Sequence, residues 1–114
     1  MSGAVTVLST GKPGLAASVL PVALSGTRFS VGTAVTLQTA TTTVIGGVPP
    51  YTYLWTYVSG DTEVEAISET LAATKFSAYF DSLGSFTAVF KCVVTDASAT
   101  AVDSNNITIE MVAC

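Results

Sequence analysis

The stretch Gly46-Gly47-Val48-Pro49-Pro50-Tyr51-Thr52-Tyr53-Leu54-Trp55-Thr56-Tyr57-Val58 decides how this chain is read. Paired glycines and paired prolines open it as a turn, because they supply backbone angles that other residues resist. From Tyr51 onward the side chains alternate. Tyr51, Tyr53, Trp55 and Tyr57 fall on one side of an extended strand, with Thr52, Leu54, Thr56 and Val58 on the other. A turn that leads into an aromatic-rich, alternating segment predicts a strand with one buried face.

The same punctuation recurs on both sides of this stretch. Turn signals fall at Gly11-Lys12-Pro13-Gly14, Ser25-Gly26, Ser59-Gly60-Asp61, residues 82–85 and residues 96–98. The intervals predict strands near 4–9, 17–24, 34–43, 51–58, 74–80, 86–95 and 101–112. Parity then sorts the faces. Phe76, Ala78 and Phe80 align, as do Phe86, Ala88, Phe90, Cys92 and Val94, and Ile107, Ile109 and Met111. Val35 and Leu37 are placed together on an inner face. The expected core therefore includes Trp55, Cys92, Phe90, Phe76, Ile109 and Leu37. Helical spacing occurs only at Val64, Ile67 and Leu71, enough for one short turn.

Composition agrees with an all-β chain and narrows its chemistry. The 114 residues are 49% hydrophobic and 11% charged, with net charge −4 and no His. Such a chain builds one domain with one core. It is too apolar for disorder and has no run long enough for a membrane helix. Lys12, Arg28, Lys75 and Lys91 are scattered and form no phosphate-binding stripe, so neither nucleic acid nor membrane is an expected partner. Val, Thr, Ala and Ser dominate, so the exposed surface is made of groups that cost little to desolvate against a partner.

Residues 1–26 contain Lys12 and no acidic residue, and read as N-terminal strands or as an arm on a neighbouring subunit. The sandwich proper is assigned to 27–114. An apolar stretch over residues 15–24 follows Lys12, but Ser18 and Pro21 interrupt it and the basic residue sits late for a signal peptide. The expectation is an uncleaved chain made in the cytosol. Cys92 and Cys114 are too few for a disulfide framework.

The quoted stretch, with its GG-x-PPY-x-x-x-W pattern, resembles the B–C turn and C strand of immunoglobulin-like and PKD-like β-sandwich domains. Phe90-Lys91-Cys92-Val93-Val94-Thr95-Asp96 resembles their F strand, and Ser104-Asn105-Asn106-Ile107-Thr108-Ile109 their closing G strand. The resemblance implies an antiparallel sandwich of about seven strands. The sequence departs from antibody-type domains in one respect: no Cys lies near Val35 to Thr39 to pair with Cys92, so no intersheet disulfide is expected. The particular variant is similar to the Thr/Val/Ser-rich Ig-like domains of tailed-bacteriophage structural proteins. That likeness implies a non-catalytic virion accessory protein, assembled in the host cytoplasm. It would decorate or stabilise a capsid or tail in many copies, with capsid or tail proteins as partners and weak host adhesion as a further use. The alternative is a cell-surface adhesin or carbohydrate-binding module.

Catalytic chemistry finds little support in the residues. Ser and Thr abound, but there is no His to activate them and no nucleophile elbow. No catalytic residue, metal ligand or cofactor is assigned. Asp61, Glu63, Glu65 and Glu69 read as a solvated acidic loop; Asp96, Asp103 and Asp61 would clip Ca²⁺ only if the fold joined them. Tyr51, Tyr53 and Tyr57 around Trp55 are either sugar-stacking groups or sandwich rim. Cys114 is either incidental or a subunit link. In this fold the C, F and G strands lie side by side, which puts Leu54, Val89, Val93 and Val112 on an outward sheet face as the candidate interface.

Overall fold

A computed structural model describes residues 14–29 and 31–113. The strand expected at 4–9 and Cys114 lie outside the described residues. Among the described residues there are eleven strands and no helix. In chain order they are β1 (Ala16–Leu20), β2 (Ala23–Phe29), β3 (Gly32–Val35), β4 (Ala40–Ile45), β5 (Thr52–Gly60) and β6 (Glu65–Ala66). Then come β7 (Ala73–Thr74), β8 (Phe76–Phe80), β9 (Gly84–Thr95), β10 (Ala101–Asp103) and β11 (Ile107–Ala113).

Two layers form. In the first, β9 is central. β5 pairs with one edge of it, β10 and β11 share the other, and β2 adds in parallel to β11. The second contains β1-β4-β7 and β3-β8-β6. These two sheets are continuous, because β3 runs on to β4 and β7 to β8. The Thr36 N–H donating to the Phe76 carbonyl at 2.9 Å bridges the join. The architecture is an immunoglobulin-like sandwich.

The core lies where parity predicts for four strands. Trp55, Phe76, Phe80, Ala88, Phe90, Cys92, Val94, Ile107, Ile109 and Met111 are all buried. Phe76 sits between Trp55 and Phe90, with ring centroids 5.8 and 5.0 Å away, the first pair edge-to-face. Edge-to-face contacts of this kind add to the area term.

Leu37 is the correction. It is 87% exposed, and the inner residues of this segment are Ala34 and Thr36. Between the pairs Val35↔Ser77 and Ala40↔Thr74, the first strand advances five residues against three on its partner. The surplus is extruded as a bulge over residues 37–39, which carries Leu37 outward. Inside, Ala34 faces Ala78, and these small residues leave room for Phe76 and Phe80 on the same face of β8. The Thr36 hydroxyl stabilises the break by accepting the Phe76 N–H and donating to the Gln38 carbonyl.

Four expected strands are each divided, the one at 74–80 at Lys75 between β7 and β8. Residues 17–24 split at Pro21, which has no N–H for a ladder, so β1 joins one layer and β2 the other. Residues 34–43 split at the bulge. Residues 101–112 split at Ser104–Asn106. There the Ser104 hydroxyl accepts the Cys92 N–H, and the Asn105 amide both accepts from Val19 N and donates to Val19 O. One side chain thus imitates a strand and ties β1 to the opposite layer. The expected helical turn is replaced by β6 and turns. Val64 is buried there, while Ile67 and Leu71 are exposed.

Candidate interaction surfaces

Cys92 and Trp55 are direct cross-strand neighbours. The Cys92 thiol is fully buried, which pushes its pKa up against a smaller lowering by the Thr42 hydroxyl beside it. Thr42 Oγ1 has no conventional hydrogen-bond partner. Thr42 on β4 is thus a polar neighbour of the buried thiol.

Asp96 works as a clamp. Its carboxylate accepts from Val48 N on one side and from Ser98 N, Ser98 Oγ and Thr100 N on the other. The Ser98 hydroxyl leads these donors in holding its pKa below the usual carboxylate value. The clamp fixes the Gly46-Gly47 turn against the end of β9. Gly47 has φ +69°, and a Cβ there would press on Leu15 and the Asp96 carboxylate. The other acidic residues are engaged separately. Asp61 accepts from Thr87 N, and Asp103 pairs with Lys91 at 2.8 Å. The structure does not bring Asp61, Asp96 and Asp103 together, and among the described residues no group of three His, Cys, Asp or Glu converges.

The tyrosines occupy the rim. Tyr51 OH donates to the Gly46 carbonyl at 2.7 Å, and Tyr57 OH donates to the Gly60 carbonyl. Trp55 is 3% exposed and its indole N–H donates to the Leu71 carbonyl at 2.8 Å. Its ring is enclosed, so it offers no face for a sugar. Trp55 nonetheless lines a cleft of about 320 Å³, together with Tyr57, Thr62, Val64, Glu65, Glu69 and Phe90 among others.

The candidate interface follows from the register. Leu54, Val93 and Asp103 form one row across β5, β9 and β10, and Thr56 lies opposite Lys91 in the next. Val89 lies opposite Thr108, and Val112 opposite Ser85. All four residues project from the outer face, but they do not form one patch. Leu54 is about half exposed and the three valines are partly covered. The Lys91–Asp103 ion pair interrupts the row between Val93 and Val89. Val58, half exposed at the bulge of β5, extends the Val89 end.

A second face had not been singled out. The outer side of β1 and β4 carries Ala16, Ser18, Leu20, Thr41, Thr43 and Ile45. Leu20 and Ile45 are 67% and 63% exposed. Its signal is present in the sequence, because between Lys12 and Asp61 the only charged residue is Arg28. That run becomes a face only once β1, β3 and β4 are known to share a layer.

No protein-family model and no curated protein matches this sequence. Among solved structures, the chain is similar to the ASH/PapD-like domain of human CEP192 (PapD-like domain 7). The TM-score is 0.70 at 7% identity, covering 100% of this chain and 96% of that one. The likeness supports an Ig-like sandwich and speaks to fold alone.

Proposed function

We propose that this chain is a non-catalytic virion protein of a tailed bacteriophage, which binds the capsid or tail lattice through its sheet faces. The observation that carries the reading is uncovered apolar surface. Leu54 on β5 is 48% exposed in the first layer, and in the second Leu20 on β1 and Ile45 on β4 are 67% and 63% exposed, with Leu37 at 87% in the bulge between β3 and β4. Large apolar groups grouped on a sheet face mark contact surfaces. The Thr/Val-rich composition and the GG-x-PPY-x-x-x-W stretch agree with that role. A protein that binds only the assembled lattice stabilises it by mass action. The glycan-binding alternative is weakened by the enclosure of Trp55.

The first layer is assigned the lattice contact, centred on Leu54 and Val93. Leu54→Glu combined with Val93→Glu tests it by co-sedimentation with purified particles. Binding is expected to fall below detection while the circular dichroism spectrum is unchanged. Full retention of binding would refute the assignment.

A further inference from the structure

The cleft lined by Trp55 lies between β5 and the segment that leads through β6. β5 is an edge of the first layer and β6 an edge of the second. Trp55 and Phe90 are almost fully buried and form the inner wall with Val64 and Ala66. Tyr57 completes the wall and is 42% exposed. Its ring is held in place, because the hydroxyl donates to the Gly60 carbonyl and the ring meets Phe90 edge-to-face at 6.0 Å. Among the described residues, the charged ones that line the cleft are Glu65 and Glu69. Glu65 is fixed by its pairing with Ser77 on β8, and Glu69 by its carbonyl, which accepts the Trp55 backbone N–H at 2.8 Å. Both residues are exposed, and among the described residues neither joins an ion pair. The same segment adds Asp61 and Glu63, and no basic residue follows until Lys75.

We infer that this cleft binds an alkylammonium group, carried by a free amine or by a lysine side chain. Three observations select that chemistry. At about 320 Å³ the cleft lies at the lower end of the ~300–1,000 Å³ range of small-ligand sites, so it takes one short group rather than a large molecule. Its aromatic and aliphatic wall suits an alkyl stem, and the half-exposed Tyr57 ring attracts a cation through its electron-rich face. Its charge is negative, because two carboxylates and no basic group line it. A carboxylate at the wall acts over about 8 Å at physiological salt, so it favours a cation without having to touch it. The same charges repel an anion. The wall is fixed before a ligand arrives, which lowers the cost of binding. The site belongs to the free chain and does not depend on any particle.

Trp55 is the only Trp in the chain, so its fluorescence reports on the cleft. Titration with n-butylammonium chloride at constant ionic strength is expected to give a saturable change in Trp55 emission. Binding is expected to weaken as sodium chloride is raised. 1-Butanol, the neutral counterpart of the same stem, is expected to bind about fivefold more weakly or worse. Glu65→Gln combined with Glu69→Gln keeps the fold, since both positions are exposed, and weakens butylammonium binding about fivefold or more. Tyr57→Leu keeps an apolar wall without the ring and weakens it about threefold or more. Nα-acetyl-lysine methylamide separates the two sources. Binding as tight as that of butylammonium assigns the cleft to a lysine side chain of a partner, and weaker binding assigns it to a free amine. A titration with butylammonium that shows no saturable change would overturn the inference. So would equal binding of 1-butanol, or a double Gln variant that binds butylammonium as tightly as the parent.

Discussion

At the scale of single residues, the centre of the sandwich carries a buried free thiol and no disulfide partner for it among the described residues. Thr42 faces Cys92 with a hydroxyl that finds no conventional partner. Thr42→Val is therefore expected to be neutral or to stabilise by about 1 kcal/mol in urea denaturation, since it deletes an unsatisfied buried group. Thr42→Cys is expected to form a disulfide with Cys92 under oxidising refolding and to stabilise by roughly 2–4 kcal/mol. Mass spectrometry and the denaturation midpoint check both points. Burial raises the Cys92 pKa, so stability from its protonated thiol is complete below pH 9.0, the unfolded value, and is lost as pH climbs above it. Asp96 has the opposite sign. Its folded pKa is lowered from 3.8, so its contribution is complete above that pH and is lost as pH falls below it. Asp96→Asn is expected to lower the thermal midpoint at neutral pH and to flatten the loss of stability below pH 4, read by thermal melts across pH.

At the scale of elements, the breaks in the strands matter as much as the strands. Asn105 replaces a ladder partner for Val19, which is fully buried. Asn105→Ala removes both hydrogen bonds and is expected to cost about 2 kcal/mol, measured by chemical denaturation. Gly60 closes β5 at φ +96°, and any Cβ would drive into the Thr87 carbonyl. Gly60→Ala is expected to destabilise by about 1–3 kcal/mol. Elements with large apolar groups on one parity were legible: β8, β9 and β11 bury the residues that alternation assigns, apart from the half-buried Phe86, whereas on β5 only Trp55 is buried and Tyr57 is 42% exposed. The β3–β4 segment was not, because Val35 and Leu37 are more apolar than Ala34 and Thr36, and parity followed hydrophobicity. What decided the face was volume, since Phe76 and Phe80 opposite admit only small neighbours, and the bulge then discarded Leu37. The outward direction of Leu54, Val89, Val93 and Val112 was also legible. Their separation by the Lys91–Asp103 pair was not, because it depends on β10 and β11 breaking apart at Ser104.

At the scale of the whole molecule, charge is divided along the chain and is therefore uneven within the second layer, where Glu65 on β6 and Lys75 beside β8 carry it and β1, β3 and β4 do not. All eight acidic residues lie from Asp61 onward, and β1, β3 and β4 carry none. The resulting domain has a mixed, partly charged face on β5-β9-β11 and an uncharged face on β1-β4. The proposed function puts the domain on an assembled particle. Cryo-electron microscopy of particles purified from the system that encodes this chain tests it. Ig-sized density fitted by this chain is expected at regular positions, with the Leu54–Val93 face against the lattice. Purified particles that lack the chain would contradict it.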